Sequence, residues 1–125
     1  MATILLVDDD NQVRDMLKKI FVMEGYEVVE AADGLQATEL YDPEVIDLVV
    51  TDIVMPEKEG LQTIREIKQV NPEARIIAIS GGGRIKPEDY LDWANRIGVD
   101  QTFTKPIRRT EILAAISELL DGAVT

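Results

Sequence analysis

The amino-acid sequence predicts an α/β fold in which a parallel sheet is covered by helices on both faces. Short, continuously apolar runs alternate with segments whose apolar residues recur at helical spacing. A strand that is apolar along its whole length is typical of a sheet buried on both faces. Five strand–helix units therefore predict a three-layer, doubly wound domain with a five-stranded parallel sheet.

The first unit shows the pattern clearly. An apolar strand is predicted over residues 4–7, and Asp10 or Asn11 can cap the helix that follows. Gly25 can end that helix, because glycine tolerates the left-handed backbone of a helix C-terminus. The apolar residues that mark the helix are Val13, Met16, Leu17, Ile20 and Phe21.

The remaining units follow in order. A strand over residues 27–31 leads through Asp33-Gly34 into a short helix that ends near Tyr41. A strand over residues 48–51 precedes a helix whose apolar residues lie within 61–70. The next strand covers residues 76–80, and a helix runs from a first-turn proline, Pro87, to Gly98. The last strand and helix are predicted at residues 102–104 and 112–120.

Composition limits the function. The 125-residue chain has no cysteine and no histidine, and its net charge is −11. A histidine base or phosphate carrier is therefore excluded, and binding to nucleic acid or to an anionic membrane is not expected. No apolar run approaches the roughly 20 residues of a membrane helix, and no signal peptide is recognised. We expect a cytoplasmic protein in which residues 1–125 form one domain, with no output domain.

Chemically useful side chains follow several strands at the point where each strand ends. Asp8, Asp9 and Asp10 follow the first strand, and Asp52 follows the third. Ser80 ends the fourth strand, and Lys105-Pro106 follows the fifth. The carboxyl ends of parallel strands meet at one edge of a sheet, where ligands of open α/β domains bind. These side chains are therefore expected to share one site.

Clustered carboxylates at that edge predict a divalent cation. Two carboxylates about 5 Å apart repel by roughly 3 kcal/mol at an effective dielectric constant near 20. Mg²⁺ offsets such repulsion and prefers carboxylates, waters and phosphate oxygens. An ammonium at Lys105 would also neutralise the acids. A cis bond before Pro106, which costs little for proline, would aim that ammonium at them.

Together these residues resemble the CheY-like receiver domains of two-component response regulators. The resemblance covers the whole chain and rests on Asp8-Asp9, the segment from Asp52 to Pro56 with Gly60, Ser80, and Lys105-Pro106. It implies a flavodoxin-like sheet with strand order 2-1-3-4-5.

The resemblance also implies a role for each site residue. Asp52 is the expected phosphoacceptor, assisted by Lys105 and Ser80. Mg²⁺ is expected on Asp9, Asp52 and the backbone carbonyl of Val54, with Asp8 acting through a bound water. The backbone N–H groups of Val54 and Gly81 would contact the phosphoryl oxygens. Ser80, Thr102 and Pro106 would form the switch region.

The implied function is a signalling switch and not an enzyme acting on other molecules. A histidine kinase or histidine phosphotransfer protein would donate the phosphoryl group to Asp52, and the altered surface would control an unknown downstream protein. A carboxylate is already ionised at neutral pH and needs no general base, which fits a chain without histidine. Whether the protein is a monomer or dimerises on phosphorylation stays open.

Three alternatives remain. The domain could drain phosphate from a shared kinase. A phosphatase with an aspartate nucleophile would need a second acid where Val54 stands. A flavodoxin-like binding module would need aromatic loops, for which only Met55, Tyr90 and Trp93 are candidates.

One departure from the family pattern concerns the fifth strand. An aromatic residue often stands three positions before the lysine, but this chain has Thr102 there. Phe103 is one residue away, and strand alternation predicts that it points to the opposite face.

Overall fold

The computed structural model describes residues 2–53, 57–80 and 98–121, and these form a five-stranded parallel sheet with helices on both faces. The strands are β1 (Thr3–Val7), β2 (Glu27–Ala31), β3 (Leu48–Asp52), β4 (Ile76–Ser80) and β5 (Gln101–Thr104). Four helices lie in the described residues. They are α1 (Asn11–Met23), α2 (Gly34–Leu40), α3 (Glu57–Val70) and α4 (Arg109–Asp121).

The strand order is β2-β1-β3-β4-β5, and every neighbouring pair is parallel. The predicted fold class and strand order are therefore confirmed. Because the chain crosses from β1 outward to β2 and then back to β3, the order reverses beside β1. The carboxyl ends of β1 and β3 flank this switch point, where a crevice forms in doubly wound sheets.

Among the described residues, two hydrophobic clusters lie between the sheet and its helices. Leu5, Val7 and Val49 belong to one cluster, which packs against α2 and α3 through Ala37 and Ile64. The other cluster lies against α1 and α4. Its fully buried side chains include Ile4, Leu6, Val50, Leu17, Phe21, Ile112 and Ile116. Alternate residues of each strand serve opposite clusters, as expected for a sheet covered on both faces.

Local signals fix the ends of the first two helices. The Asp10 carboxylate accepts hydrogen bonds from the backbone N–H groups of Gln12 and Val13, and Asp33 caps α2 in the same way. Gly25 follows α1 with φ of 98°, a left-handed backbone that favours glycine. Met16, one of the apolar residues that mark this helix, is nevertheless 44% exposed, because Leu17 and Phe21 occupy the centre of the buried stripe and Met16 lies on its flank.

Several predicted features lie outside the described residues. These are the helix predicted between Pro87 and Gly98, and the expected contacts of Val54 and Gly81. No helix in the described part of the chain is long and apolar enough to cross a membrane.

Candidate phosphoryl-acceptor site

Three carboxylates meet at the carboxyl ends of β1 and β3, as the sequence predicts. One carboxylate oxygen from each of Asp8, Asp9 and Asp52 lies within 4.8 Å of those of the other two. The register pairs Val7 with Thr51, so the residues that follow in each strand emerge side by side. Asp8 and Asp52 are 1% and 3% exposed, whereas Asp9 is exposed. The cluster therefore consists of two buried carboxylates and one that is open to solvent.

Lys105 enters this pocket from the far side of β4. Its Nζ donates a hydrogen bond to Asp52 Oδ2 at 2.7 Å and lies 3.5 Å from Asp8 Oδ2. The Lys105–Pro106 peptide bond is cis, as the sequence allowed. The lysine side chain is 23% exposed, so its positive charge is only partly screened by water. It neutralises part of the negative charge that the buried carboxylates bring together.

Burial and the neighbouring charges shift the pKa values of Asp8 and Lys105. Burial raises the pKa of Asp8 from its ordinary value of 3.8 to about 6. The hydrogen bond from the backbone of Asp10 and the charge of Lys105 oppose this rise, while Asp52 and Asp9 add to it. For Lys105, burial alone would lower the pKa. The hydrogen bond and the charge of Asp52, together with Asp8, outweigh burial and raise this pKa above its ordinary value.

The two carboxylate oxygens of Asp8 differ in their hydrogen bonding. Its Oδ1 accepts a hydrogen bond from the backbone N–H of Asp10 at 2.9 Å. Its buried Oδ2 accepts no hydrogen bond from the described residues, and its ion pair with Lys105 Nζ is long, at 3.5 Å. A buried acceptor without a donor is costly unless another group binds it. The unsatisfied oxygen and the nearby carboxylates form the hard, anionic donor set that suits a divalent cation.

Ser80 lies at the neighbouring strand end. Asp52 pairs in register with Ile79, and Ser80 follows immediately with 4% exposure. The backbone carbonyl of Ser80 accepts a hydrogen bond from the Lys105 N–H at 2.7 Å. The ends of β3 and β4 and the residue after β5 therefore form one connected edge of the site.

The strand alternation predicted for β5 is confirmed. Phe103 pairs with Ile79 and packs with the cluster on the α1 and α4 face. Thr102 pairs with Ala78, which belongs to the cluster on the opposite face. Phe103 therefore cannot replace the missing aromatic residue from its neighbouring position. Thr102 is half-buried and Pro106 is exposed.

Gly60 brings α3 close to the end of β3. A Cβ atom at this position would lie 2.9 Å from Ile53 Cα and 3.3 Å from the Ile53 carbonyl oxygen. Only a residue without a side chain allows this approach. The glycine in the motif therefore has a packing reason next to Asp52.

Sequence reasoning missed Arg14. Its guanidinium donates a hydrogen bond to the backbone carbonyl of Asp8 at 2.7 Å. A single arginine on an amphipathic helix is usually expected to be a solvent-exposed charge, and no pattern in the sequence indicated another role for Arg14. Only the path of the loop between β1 and α1 shows that the side chain turns back toward the acids.

The fold and the site define a doubly wound α/β domain with an acidic, lysine-containing pocket at the carboxyl edge of its sheet. The chain belongs to the response regulator receiver domain family, whose profile matches residues 4–117. It is therefore a receiver domain of the two-component signalling type, and this family consists mainly of signalling switches.

Similar proteins cover almost the whole chain. The chemotaxis protein CheY of Bacillus subtilis is 40% identical over 119 residues, which span 94% of this chain and 97% of that protein. A receiver domain from Clostridium thermocellum superposes with a TM-score of 0.88 at 26% identity, covering 98% of this chain and 97% of that one. The response regulator TrrA of Thermotoga maritima, solved in complex with Mg²⁺-BeF, has a TM-score of 0.81. It is 32% identical, and the match covers 96% of this chain and 100% of the TrrA chain.

Proposed function

We propose that this receiver accepts a phosphoryl group on Asp52 from a phosphohistidine of a histidine kinase or histidine phosphotransfer protein. The observation that supports this most strongly is the placement of Asp52. Its carboxylate is buried beside two other acids and hydrogen-bonded to Lys105 at 2.7 Å. A carboxylate in this setting is a nucleophile beside a positively charged group that can bind the incoming phosphoryl oxygens.

The transfer requires no proton removal from Asp52. A carboxylate oxygen attacks phosphorus, a new P–O bond forms, and the P–N bond to the donor imidazole breaks with its electron pair. Phosphoryl transfer depends mainly on positioning and on neutralising charge at the oxygens. Lys105 supplies one positive charge within reach of Asp52. The product is an acyl phosphate on this chain.

A divalent cation is part of the proposal. Asp9 and Asp52 would hold Mg²⁺ directly with the Val54 carbonyl, and Asp8 would act through a bound water. When bound, Mg²⁺ would neutralise the acids and the developing charge on the phosphoryl oxygens. The unsatisfied Oδ2 of Asp8 and the neighbouring carboxylate oxygens support this assignment. The Mg²⁺-BeF complex of TrrA, a relative, supports it by analogy.

The response to phosphorylation would begin at Ser80. Ser80 is buried at the strand end, one residue beyond the register partner of Asp52, so a phosphoryl oxygen on Asp52 could attract its hydroxyl. Movement there would pass to the segment after β4 and to β5, where Thr102 and Pro106 belong to the proposed switch region. The altered surface would control a downstream protein, or the domain would drain phosphate from a shared kinase. We place this activity in the cytoplasm and propose that the only reactions promoted are the protein's own phosphorylation and dephosphorylation.

Phosphorylation with a small-molecule donor tests the proposal. The chain should gain the mass of one phosphoryl group with acetyl phosphate and Mg²⁺, and no mass with EDTA. Asp52→Asn should stay unmodified. Asp15→Asn is the matched control, because Asp15 is an exposed acid paired with Lys19 away from the pocket. An unmodified parent chain, or an Asp52→Asn variant labelled as well as the parent, would contradict the proposal.

Metal binding is tested separately by calorimetry. Titration of the metal-free protein should show one Mg²⁺ site, and Asp9→Asn should weaken the affinity at least about tenfold because a direct ligand is lost. The same variant should not reduce the stability of the metal-free protein, because Asp9 adds to the negative charge around Asp8. Equal Mg²⁺ affinities of parent and variant would contradict the ligand assignment.

A further inference from the structure

The guanidinium of Arg14 connects the acidic loop to the helix and strand beside it. Nη1 donates to the backbone carbonyl of Asp8 at 2.7 Å, and Nη2 donates to Asn11 Oδ1 at 2.6 Å. Nε lies 3.4 Å from Glu30 Oε1, on the edge strand β2. One planar group thus contacts the start of the loop, the start of α1 and the neighbouring strand. A forked donor can satisfy three acceptors in fixed directions, which a point charge cannot do.

The carbonyl that Arg14 holds belongs to the peptide unit between Asp8 and Asp9. Fixing this peptide plane fixes the direction in which the chain leaves β1 and enters Asp9. Asp9 is exposed, and its carboxylate has no hydrogen bond or ion pair with any other residue that the structure describes. The backbone therefore sets the direction of the Asp9 Cα–Cβ bond, from which the carboxylate reaches toward the cluster. The Asp8 N–H is held by the Ala31 carbonyl at 3.2 Å, so Arg14 completes the restraint on the other side.

Burial strengthens this restraint. The Arg14 side chain is only 17% exposed and Glu30 is 34% exposed. Hydrogen bonds from a charged donor are stronger than neutral ones, and partial burial reduces competition from water. Lys18 also pairs with Glu30, at 3.1 Å, but it makes no contact with the acidic loop among the described residues. Helix α1 therefore carries two cationic side chains that pair with Glu30, and of these only Arg14 contacts the acidic loop.

We propose that Arg14 is a positioning residue for the cation site, acting through the Asp8 carbonyl to hold Asp8 and Asp9 in place for Mg²⁺. This inference rests on the proposed Mg²⁺-dependent function of the same site. Groups that orient metal ligands without touching the metal commonly change metal affinity about 10- to 100-fold when they are lost. Mg²⁺ is sensitive to such a loss because it requires near-ideal geometry, whereas Ca²⁺ tolerates irregular sites.

The test compares Arg14→Met with Lys18→Met. Both changes remove one positive charge and one partner of Glu30 while keeping an apolar stem. Calorimetry at a temperature where circular dichroism shows each variant folded should give about tenfold weaker Mg²⁺ binding for Arg14→Met. Lys18→Met should stay within about twofold of the parent. Ca²⁺ binding should weaken less than Mg²⁺ binding in Arg14→Met, a change of selectivity that a general loss of stability does not produce.

A second variant covers the case in which Arg14→Met does not fold. Glu30→Gln removes the acid that orients the Arg14 Nε and should weaken Mg²⁺ binding in the same direction by a smaller factor. If Arg14→Met does fold, the double variant with Glu30→Gln should bind Mg²⁺ only slightly more weakly than Arg14→Met alone, because both changes act through one guanidinium. Parent-like Mg²⁺ affinity in both variants would overturn the inference, as would an equal loss in Lys18→Met. A parent protein that binds no Mg²⁺ would instead refute the proposed function itself.

Discussion

Lys105 Nζ donates a hydrogen bond to Asp52 Oδ2 across 2.7 Å, although 53 positions separate the two residues in the chain. Asp52 ends β3 and Lys105 follows β5, with β4 between them. Neighbouring strands lie about 4.8 Å apart, so the lysine and aspartate side chains and the hydrogen bond between them together bridge roughly two strand spacings. The contact therefore forms only if three strands have the correct order and register.

Loss of the Lys105 charge should destabilise the metal-free protein. Lys105→Met leaves the buried Asp52 and Asp8 without their shared cation, and we expect the free energy of unfolding at neutral pH to fall by about 1–3 kcal/mol. Addition of Mg²⁺ should recover part of this loss, because the cation replaces the missing charge. Urea unfolding in EDTA and in Mg²⁺ measures both effects. Arg108→Met, at an exposed position nearby, is the control, and equal unfolding of all three proteins in EDTA would contradict the expectation.

The raised pKa of Asp8 predicts a pH dependence of stability. Its value is about 6 in the folded protein and 3.8 as an ordinary aspartate, so between these values the folded state binds more protons at Asp8. The contribution of Asp8 to the free energy of unfolding therefore falls as pH rises from about 4 to about 6. Asp8→Asn removes this titration. In EDTA, the free energy of unfolding of the variant should therefore exceed that of the parent by a difference that grows across this pH window to at most about 3 kcal/mol. Urea unfolding at several pH values measures the difference, which would stay constant if Asp8 titrated normally.

Gly60 should not tolerate even a methyl group. In an ordinary helix position alanine is more favourable than glycine by about 1 kcal/mol. At Gly60 the added Cβ would approach Ile53 Cα to 2.9 Å, and backbone atoms cannot move aside cheaply. We expect Gly60→Ala to lower the free energy of unfolding by about 1–3 kcal/mol. Gln62→Ala, at an exposed position on the same helix, should change it by less than about 0.5 kcal/mol. A stabilised Gly60→Ala variant would contradict the close packing.

Much of this architecture could be predicted because it depends on short-range patterns and one geometric rule. Continuous apolar runs identify buried parallel strands, and the carboxyl ends of such strands share one edge. That rule alone predicts that Asp8, Asp52, Ser80 and Lys105 share one edge of the sheet. The strand order needed more, because nothing in the apolar pattern says which strand lies at the edge. It came from the family resemblance.

The parts that escaped prediction depend on directions that sequence does not encode. Arg14 reaches the Asp8 carbonyl only because the loop before α1 turns that carbonyl toward the helix. The exposure of Met16 also could not be predicted, because helical spacing gives the direction of the buried stripe on α1 but not its width. The width of the stripe depends on how closely α1 lies against the sheet. Here the buried stripe ends at Val13 and Ile20.

Chemical mapping of the phosphorylated residue tests the central claim most directly. After incubation with acetyl phosphate and Mg²⁺, borohydride reduces an aspartyl phosphate to homoserine, and tandem mass spectrometry of the peptides locates the change. The account predicts homoserine at position 52 and at no other acid, with none formed in EDTA. Homoserine at Asp8 or Asp9, or a full phosphoryl mass gain with position 52 unreduced, would contradict it.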